Sequence, residues 1–242
     1  MADSIEKVED FIYSVYLQNY DSHKEEIKSP LDEKTYIVDG AKLQSLNVIV
    51  DFELDKCYIE KSRINTAGNG LFAKNDILKD ELITFYPSDI ASYAPNGDLS
   101  KPGHVSIETY SQRFKIQFEK NIKKERENCA MINEYTYDLD QNYRIIGSPF
   151  FIKDTNYMGH FINDGAKSDS IESNKVYLTI SSLKSNCRFY HLKDLLVAII
   201  ATKDIKKDEE FYITYGIEYW ESYNKLKLDN PPELGPTKIQ RQ

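Results

Sequence analysis

The chain has 242 residues, a length that allows one decorated domain or two small ones. With 40% apolar residues, 18 Tyr, 11 Phe and 1 Trp it has material for a buried core, which excludes wholesale disorder. Thirty-nine acids against 31 bases leave a formal charge of −8, which argues against a protein that wraps a nucleic-acid backbone and favours a basic partner.

The first ten residues, Met1 to Asp10, offer acids where a secretory signal would show bases and then an apolar stretch. From Ser4, an available N-cap, the apolar positions Ile5, Val8, Phe11, Ile12, Val15 and Tyr16 recur at three and four and predict an amphipathic helix. A polar stretch, Asp21 to Glu33, precedes β-rich runs at Thr35 to Val38, Leu46 to Leu54 and Cys57 to Ser62, with an Asp39-Gly40 turn signal after the first. Residues 1–56 therefore read as an N-terminal accessory element. Short strands broken by Gly, Asn and Asp continue to Leu82–Tyr86. Residues 88–134 read as an insertion, with Pro and Gly at 95, 97, 102 and 103 and a charge-dense, helix-compatible stretch from Tyr110 to Met131. Its bases at Lys120 to Arg126 alternate with Glu119, Glu125 and Glu127, the pattern of a solvated helix face rather than a nucleic-acid patch.

Tyr135 to Leu139 and Tyr143 to Ile146, separated by Asp140-Gln-Asn142, predict a hairpin. Leu195 to Ala201 is the longest strongly apolar run, seven residues where a membrane span needs about 20, and reads as a buried strand. With Glu210 to Tyr215 it predicts a second hairpin across the polar turn at Lys206-Lys-Asp208. An aromatic helix follows from Ile217 to Leu228, then a Pro-rich tail. No repeat with a 20 to 50 residue period is visible. Cys57, Cys129 and Cys187 are odd in number and far apart, which gives neither a disulfide framework nor a zinc motif and suits a reducing, intracellular compartment, nuclear or cytoplasmic. Cys187 has no visible His partner and reads as a buried thiol. His23, His104, His160 and His191 are scattered without metal spacing, so no metal is expected.

Three blocks carry the chemistry. Ala67-Gly-Asn-Gly-Leu-Phe-Ala73 spaces two glycines by one residue, allowing backbone N–H groups to approach a ligand closely, although an ordinary hairpin turn would look the same. A dinucleotide-binding reading is disfavoured, because Lys74 to Asp80 looks like a turn into another strand rather than a helix start. Met158-Gly-His-Phe-Ile-Asn-Asp-Gly165 reads by composition as a strand ending in an Asn-Asp-Gly turn. The third block is Ala198 to Gly216, followed by Glu218-Tyr-Trp220.

In this order the blocks resemble the SET-domain protein lysine methyltransferases. Gly68-Asn-Gly70-Leu-Phe72 resembles that family's GxG turn, and His160-Phe-Ile-Asn-Asp164 its RFINH segment. Ala201-Thr-Lys-Asp-Ile205 with Glu209-Glu-Phe-Tyr-Ile-Thr-Tyr-Gly216 resembles its AxRDI and GEELxxxYG ending. The resemblance spans residues 57–220, with residues 221–242 left as C-terminal helix and tail.

It implies a mainly β fold, a β-clip of small sheets with a knot-like C-terminal crossing, a helical N-terminal element, a partly helical insertion and a C-terminal helix. It also implies S-adenosylmethionine on one face and a substrate lysine entering a channel from the other. Gly68, Asn69, Gly70, Phe72, His160, Phe161, Asn163 and Asp164 fall on the cofactor side, Asp164 through its main chain. Tyr215 takes the place of the catalytic tyrosine, Tyr86 is a channel wall, and Tyr219 and Trp220 cover adenine or the lysine stem, with core packing equally open for Trp220. The implied partner is a basic protein or peptide, a histone tail among the candidates, with no nucleic-acid or membrane binding. A SET-like protein-binding module without turnover, and a methyltransferase of non-histone proteins, stand as alternatives. The chain departs from the family where His becomes Asp164, Cys becomes Ala166, Gly before Glu-Glu becomes Asp208, and Gly after Tyr-x becomes Ser88. Ile213 stands where many members carry Phe or Tyr.

Overall fold

The computed structural model describes residues 24–28, 35–39, 54–65, 67–88, 90–93, 107–110, 135–139, 143–147, 155–192 and 196–229. The expected helix from Ser4, most of the Leu46 to Leu54 run, the helix-compatible stretch beyond Tyr110 and the Pro-rich tail lie outside these residues. Among the described residues the structure is mainly short strands in small sheets with two α-helices, the fold class implied by the resemblance.

Strands β1 (Lys24–Lys28) and β2 (Thr35–Asp39) pair antiparallel, so the polar stretch before Thr35 holds a strand of its own. Strands β3 (Cys57–Lys61) and β4 (Asn69–Ala73) form a second antiparallel pair, and β5 (Leu82–Tyr86) is buried at every position. The insertion contributes β6 (Ile90–Tyr93) and β7 (Ile107–Tyr110). These join the expected hairpin, β8 (Thr136–Asp138) and β9 (Tyr143–Ile146), in a sheet ordered β7-β6-β9-β8. After two single 3-10 turns come β10 (Asn163–Asp164), α1 (Ile171–Lys184), β11 (Cys187–Leu192), β12 (Leu196–Ala201), β13 (Tyr212–Ile213) and α2 (Ile217–Asp229).

The framework is a duplicated unit. Asp76-Ile-Leu-Lys-Asp-Glu81 recurs as Asp204-Ile-Lys-Lys-Asp-Glu209, a spacing far beyond the repeat periods considered from sequence. The two turns bond to each other reciprocally. Ile77 N donates to Ile205 O at 2.9 Å and Ile205 N to Ile77 O at 2.8 Å. Lys79 N donates to Asp204 Oδ1 and Lys207 N to Asp76 Oδ1, both at 2.9 Å. Each turn passes through one residue in the left-handed region, Asp80 at φ 68° and Asp208 at φ 65°. Asp tolerates that region better than most non-glycine residues, and Asp208 is where the family pattern has Gly.

The two units exchange their closing strands. Beyond the first turn, β5 pairs with β12 of the second unit, Leu82 opposite Ile200. Beyond the second, Glu210 bridges to Phe72 in β4 of the first unit, and Phe211 N donates to Leu71 O at 2.8 Å. The expected hairpin between Leu195–Ala201 and Glu210–Tyr215 is therefore corrected: the second run crosses to the other unit, where β4 still offers a free edge, and β12 is flanked by β11 and β5. Burial drives this interlock, since Leu71, Ile83, Ile199, Ile205 and Phe211 are all fully buried in one core cluster with Cys57 and Cys187.

Helix α1 gave no clear stripe in sequence because its apolar residues lie all round it; Tyr177 is buried while Val176, Leu178, Ile180 and Leu183 are exposed. Its start is set by a capping box, with Ser170 Oγ accepting from Ser173 N at 3.1 Å and Ser173 Oγ accepting from Ser170 N at 2.9 Å. Helix α2 follows the expected aromatic helix to within a residue.

Candidate active site

The site grows from a two-residue parallel ladder. Strand β10 lies beside β13 with Asn163 opposite Tyr212 and Asp164 opposite Ile213, so segments nearly fifty residues apart cross side by side, the crossing the resemblance implies. The residues before it are not the strand that composition suggested: Gly159–Phe161 is a 3-10 turn. Gly159 allows it, because a Cβ there would lie 2.9 Å from the Ile199 side chain and 3.0 Å from the Phe85 carbonyl oxygen.

Asn163 links this ladder to the glycine turn. Its Nδ2 donates to Asn69 O at 2.9 Å and to Glu210 Oε1 at 3.3 Å. Gly68 has φ +75° with nothing within 4 Å of an ideal Cβ, so its backbone conformation, not crowding, calls for glycine. Gly70 is the opposite case: a Cβ there would sit 2.2 Å from Glu210 Oε1 and 3.3 Å from Asn163 Nδ2. Glu210, 2% exposed, also accepts from Ser62 Oγ at 2.6 Å, Arg63 N at 2.7 Å and Tyr212 Oη at 2.6 Å. Four donors thus satisfy a carboxylate that would otherwise be costly to bury. Burial, then the hydrogen bond to Glu210, pushes the Tyr212 phenol well above its ordinary pKa.

Tyr215 stands on the other side of Asn163. Its hydroxyl donates to the Ile162 carbonyl at 2.6 Å and its backbone N–H to Asp164 Oδ2 at 2.9 Å. Desolvation raises its pKa well above 10.0, reinforced by the neighbouring phenols of Tyr219 and Tyr86, the Asp164 carboxylate and the Tyr135 phenol. The phenol is therefore protonated at neutral pH and acts as a donor to the carbonyl while keeping its own lone pairs. Tyr219 packs edge-on against the Tyr215 ring at 4.6 Å, and Trp220 lies near-parallel at 6.3 Å. The Trp220 Nε1 donates to Asp164 Oδ2 at 3.1 Å, which ties α2 to the ladder.

Tyr86, at the end of β5, packs against Tyr137, His160 and Phe189 with ring centroids 5.5, 6.3 and 6.1 Å away. His160 and Phe161 pack with Tyr135, which brings the β8–β9 sheet to the site. Phe72 is engaged on the far side of β4, stacked on Tyr58 at 5.7 Å with the Arg63 guanidinium over its ring. The structure thus gathers Gly68, Asn69, Gly70, Asn163, Asp164, Tyr215, Tyr219 and Trp220 around one ladder, joins Tyr86 and His160 to it through aromatic contacts, and uses Phe72 for packing. Sequence reasoning missed Glu210, Tyr135, Tyr177 and Ser181. Glu210 lay inside a quoted motif, but nothing local distinguishes it from the exposed Glu209. Among the described residues no cluster of His, Cys, Asp and Glu could hold a metal ion, and no helix is long and apolar enough to cross a membrane.

Compared with known proteins, the sequence model of the SET domain matches residues 68–216, well over half of the chain. The chain belongs to the SET-domain family. That match runs from the first glycine of the β4 turn to the glycine after Tyr215, so it encloses the ladder and both arms converging on it. No curated protein sequence matches the chain. Solved structures similar to this SET-domain chain include a humanized mutant of the Chaetomium thermophilum Polycomb Repressive Complex 2 bound to an inhibitor. That likeness has 16% identity and a TM-score of 0.33, covering 66% of this chain and 15% of that one. A second is a ctPRC2 complex in an autoinhibited conformation bound to S-adenosylmethionine, at 17% identity and a TM-score of 0.37, covering 72% of this chain and 17% of that one. The chain thus spans about a sixth of the length of those chains.

Proposed function

We propose that this SET-domain protein is an S-adenosylmethionine-dependent protein lysine N-methyltransferase that modifies a lysine of a basic protein. What supports this most directly is the Tyr215 phenol, half-buried among aromatic rings and bonded to the carbonyl of Ile162, one residue before the asparagine that holds the Asn69 carbonyl.

The residues fit the cofactor. Gly68 presents backbone with open space on its Cβ side, Gly70 leaves no room for a side chain, and Asn163 has its amide group fixed between them. The backbone of Gly68 to Gly70 and Asn163 would hold the methionine end, the Asp164 main chain the adenine, with Tyr219 and Trp220 as its cover. When bound, S-adenosylmethionine supplies a sulfonium methyl group that is already activated for transfer.

Little acid catalysis is needed, so the protein's task is alignment. A lysine amine starts with a pKa of about 10.4, and an aromatic surrounding that excludes water favours its neutral form. Tyr86, Tyr135 and Tyr219 beside Tyr215 provide that surrounding. The Tyr215 oxygen, its proton committed to Ile162, retains lone pairs to orient the amine and to make weak C–H···O contacts to a methyl group. The net charge of −8 suits a cationic substrate by speeding encounter, a histone tail being one such substrate.

The test is incubation with labelled S-adenosylmethionine and a mixture of core histones and other basic proteins, read by mass spectrometry, beside calorimetry of cofactor binding. Tyr215→Phe should keep the fold and saturable cofactor binding but lose turnover by about 100-fold, the scale of a misaligned near-attack geometry. Unchanged turnover in that variant removes Tyr215 from the role, and wild-type protein without a saturable cofactor site overturns the reading.

A further inference from the structure

Asp164 stands where the family pattern has histidine, and its side chain is 5% exposed. Oδ1 accepts from Ala166 N at 3.0 Å and from Ser181 Oγ at 2.5 Å. Oδ2 accepts from Tyr215 N at 2.9 Å, from Trp220 Nε1 at 3.1 Å and from the hydroxyl of Tyr177. Five donors from four separate segments meet on one carboxylate. A neutral imidazole has one acceptor nitrogen and could satisfy one of them, so the arrangement belongs to this chain and not to the general pattern.

These donors share a target. Ser181 Oγ also reaches Thr214 Oγ1 at 3.0 Å, Asp164 itself takes the N–H of Tyr215, and the Tyr177 oxygen accepts from Gly216 N at 3.0 Å. Three consecutive residues centred on Tyr215 are held through Asp164 and its two partners on α1. Burial, then the bond to Asp164, pushes the Tyr177 phenol up to about 12, so it stays a donor throughout the physiological range. Trp220, bonded to the same oxygen, lies over the Tyr215 ring. The Tyr215 backbone N–H is held by Asp164, while its hydroxyl is held independently by the Ile162 carbonyl.

We infer that Asp164 is the positioning residue of this active site, a carboxylate clamp that fixes the backbone of Tyr215 and the ring of Trp220 against the two-residue ladder so that the phenol meets the substrate amine in register. This rests on the methyltransferase reading above. It predicts that weakening the carboxylate lowers the rate of methyl transfer more than it lowers affinity for either substrate, because the hydroxyl keeps its carbonyl partner but loses its exact placement. Charge-assisted bonds are about twice as strong as neutral ones, and an amide at this position would turn an NH2 group toward donors on one side.

The test is Asp164→Asn in the full chain. Expected are a kcat lower by about 100-fold and far smaller changes in cofactor affinity by calorimetry and in KM for the protein substrate. In the Tyr215→Phe background the same substitution should cost almost nothing further, because both changes act on one group. Trp220 is the only tryptophan in the chain, so its fluorescence emission should shift in Asp164→Asn without any turnover being measured. Should Asp164→Asn fail to fold, Ser181→Ala removes one of the five donors to Asp164 together with the link to Thr214, and should show a smaller kcat loss with the same non-additivity. Wild-type kcat in a folded Asp164→Asn, or an equal loss in both backgrounds, overturns the proposal. A wild-type chain that binds no S-adenosylmethionine overturns the methyltransferase reading and this one with it, whereas a chain that turns over and is indifferent to Asp164 overturns this one alone.

Discussion

The two units share a turn, but the closing strands that follow it have opposite characters. After Glu81 the chain continues as Leu82 to Tyr86, five buried residues paired over most of their length with β12. After Glu209 the equivalent run begins with Glu210, makes a single bridge to β4, and reduces to the two residues of β13 beside Asn163 and Asp164. Leu82 and Glu210 occupy matching places, one opposite Ile200 and the other opposite Phe72. One half is built as sheet. In the other, a buried carboxylate replaces the leucine, and backbone that the sheet would have used is left to the site. The chemistry sits where the duplicated framework gives up its regular pairing.

The sharpest way to break this asymmetry is to make the halves alike. Glu210→Leu would strip the acceptor from Ser62, Arg63 N, Tyr212 and Asn163 at once. We expect a loss of about 2–4 kcal/mol in denaturant unfolding, from buried donors left unsatisfied. Calorimetry should then show cofactor binding weakened beyond what stability explains, since Asn163 loses one of its two anchors.

A second probe uses a feature the halves have in common. Cys57 and Cys187 open the equivalent strands β3 and β11, opposite Ala73 and Ala201, and both are buried. Desolvation raises Cys57 from 9.0 to about 12 and raises Cys187 further. The folded state therefore keeps these protons while unfolded thiols release theirs, so stability is full below pH 9 and falls as pH rises from there through about 12. Urea titrations at stepped alkaline pH should show that decline. Mass-spectrometric mapping at neutral pH should find both thiols unalkylated until the chain unfolds.

The smallest effect separates the two turns. Asp80→Gly relieves a left-handed residue whose side chain bonds no other segment among the described residues, and should raise the melting temperature slightly, for a gain of up to about 1 kcal/mol. Asp208→Gly relieves the same backbone but gives up the bond from the Tyr58 hydroxyl to Asp208 Oδ1 at 2.9 Å, and should gain less. Equal shifts in both variants would mean that Tyr58 contributes nothing there.

What the sequence made legible follows the range of the interactions. The β8–β9 hairpin, β5, β12 and helix α2 announce themselves through local runs, turn residues and aromatic spacing, and each is found within about a residue or two of where it was read. The identities of Tyr215, Asn163 and Gly68 came from motif order. The crossing of the Asn163 segment with the chain before Tyr215 came from the resemblance, whereas the pairing of Glu210 with Phe72 and helix α1 went unread, because their stabilising partners lie far along the chain or their apolar residues form no stripe. The duplicated Asp-Ile-x-Lys-Asp-Glu turn was visible in the letters but too widely spaced to be noticed as a repeat.

The exchange of closing strands has a consequence during synthesis. Until residues beyond Glu209 have left the ribosome, β4 has an open hydrogen-bonding edge and the glycine turn has no asparagine cradle completed by Glu210. Contacts joining positions such as Ser62 and Glu210, 148 residues apart, are slow to close and leave a nascent chain exposed to aggregation. A chaperone or an early ligand can rescue only what already exists, and here the site does not exist until the segment after Glu209 has been made.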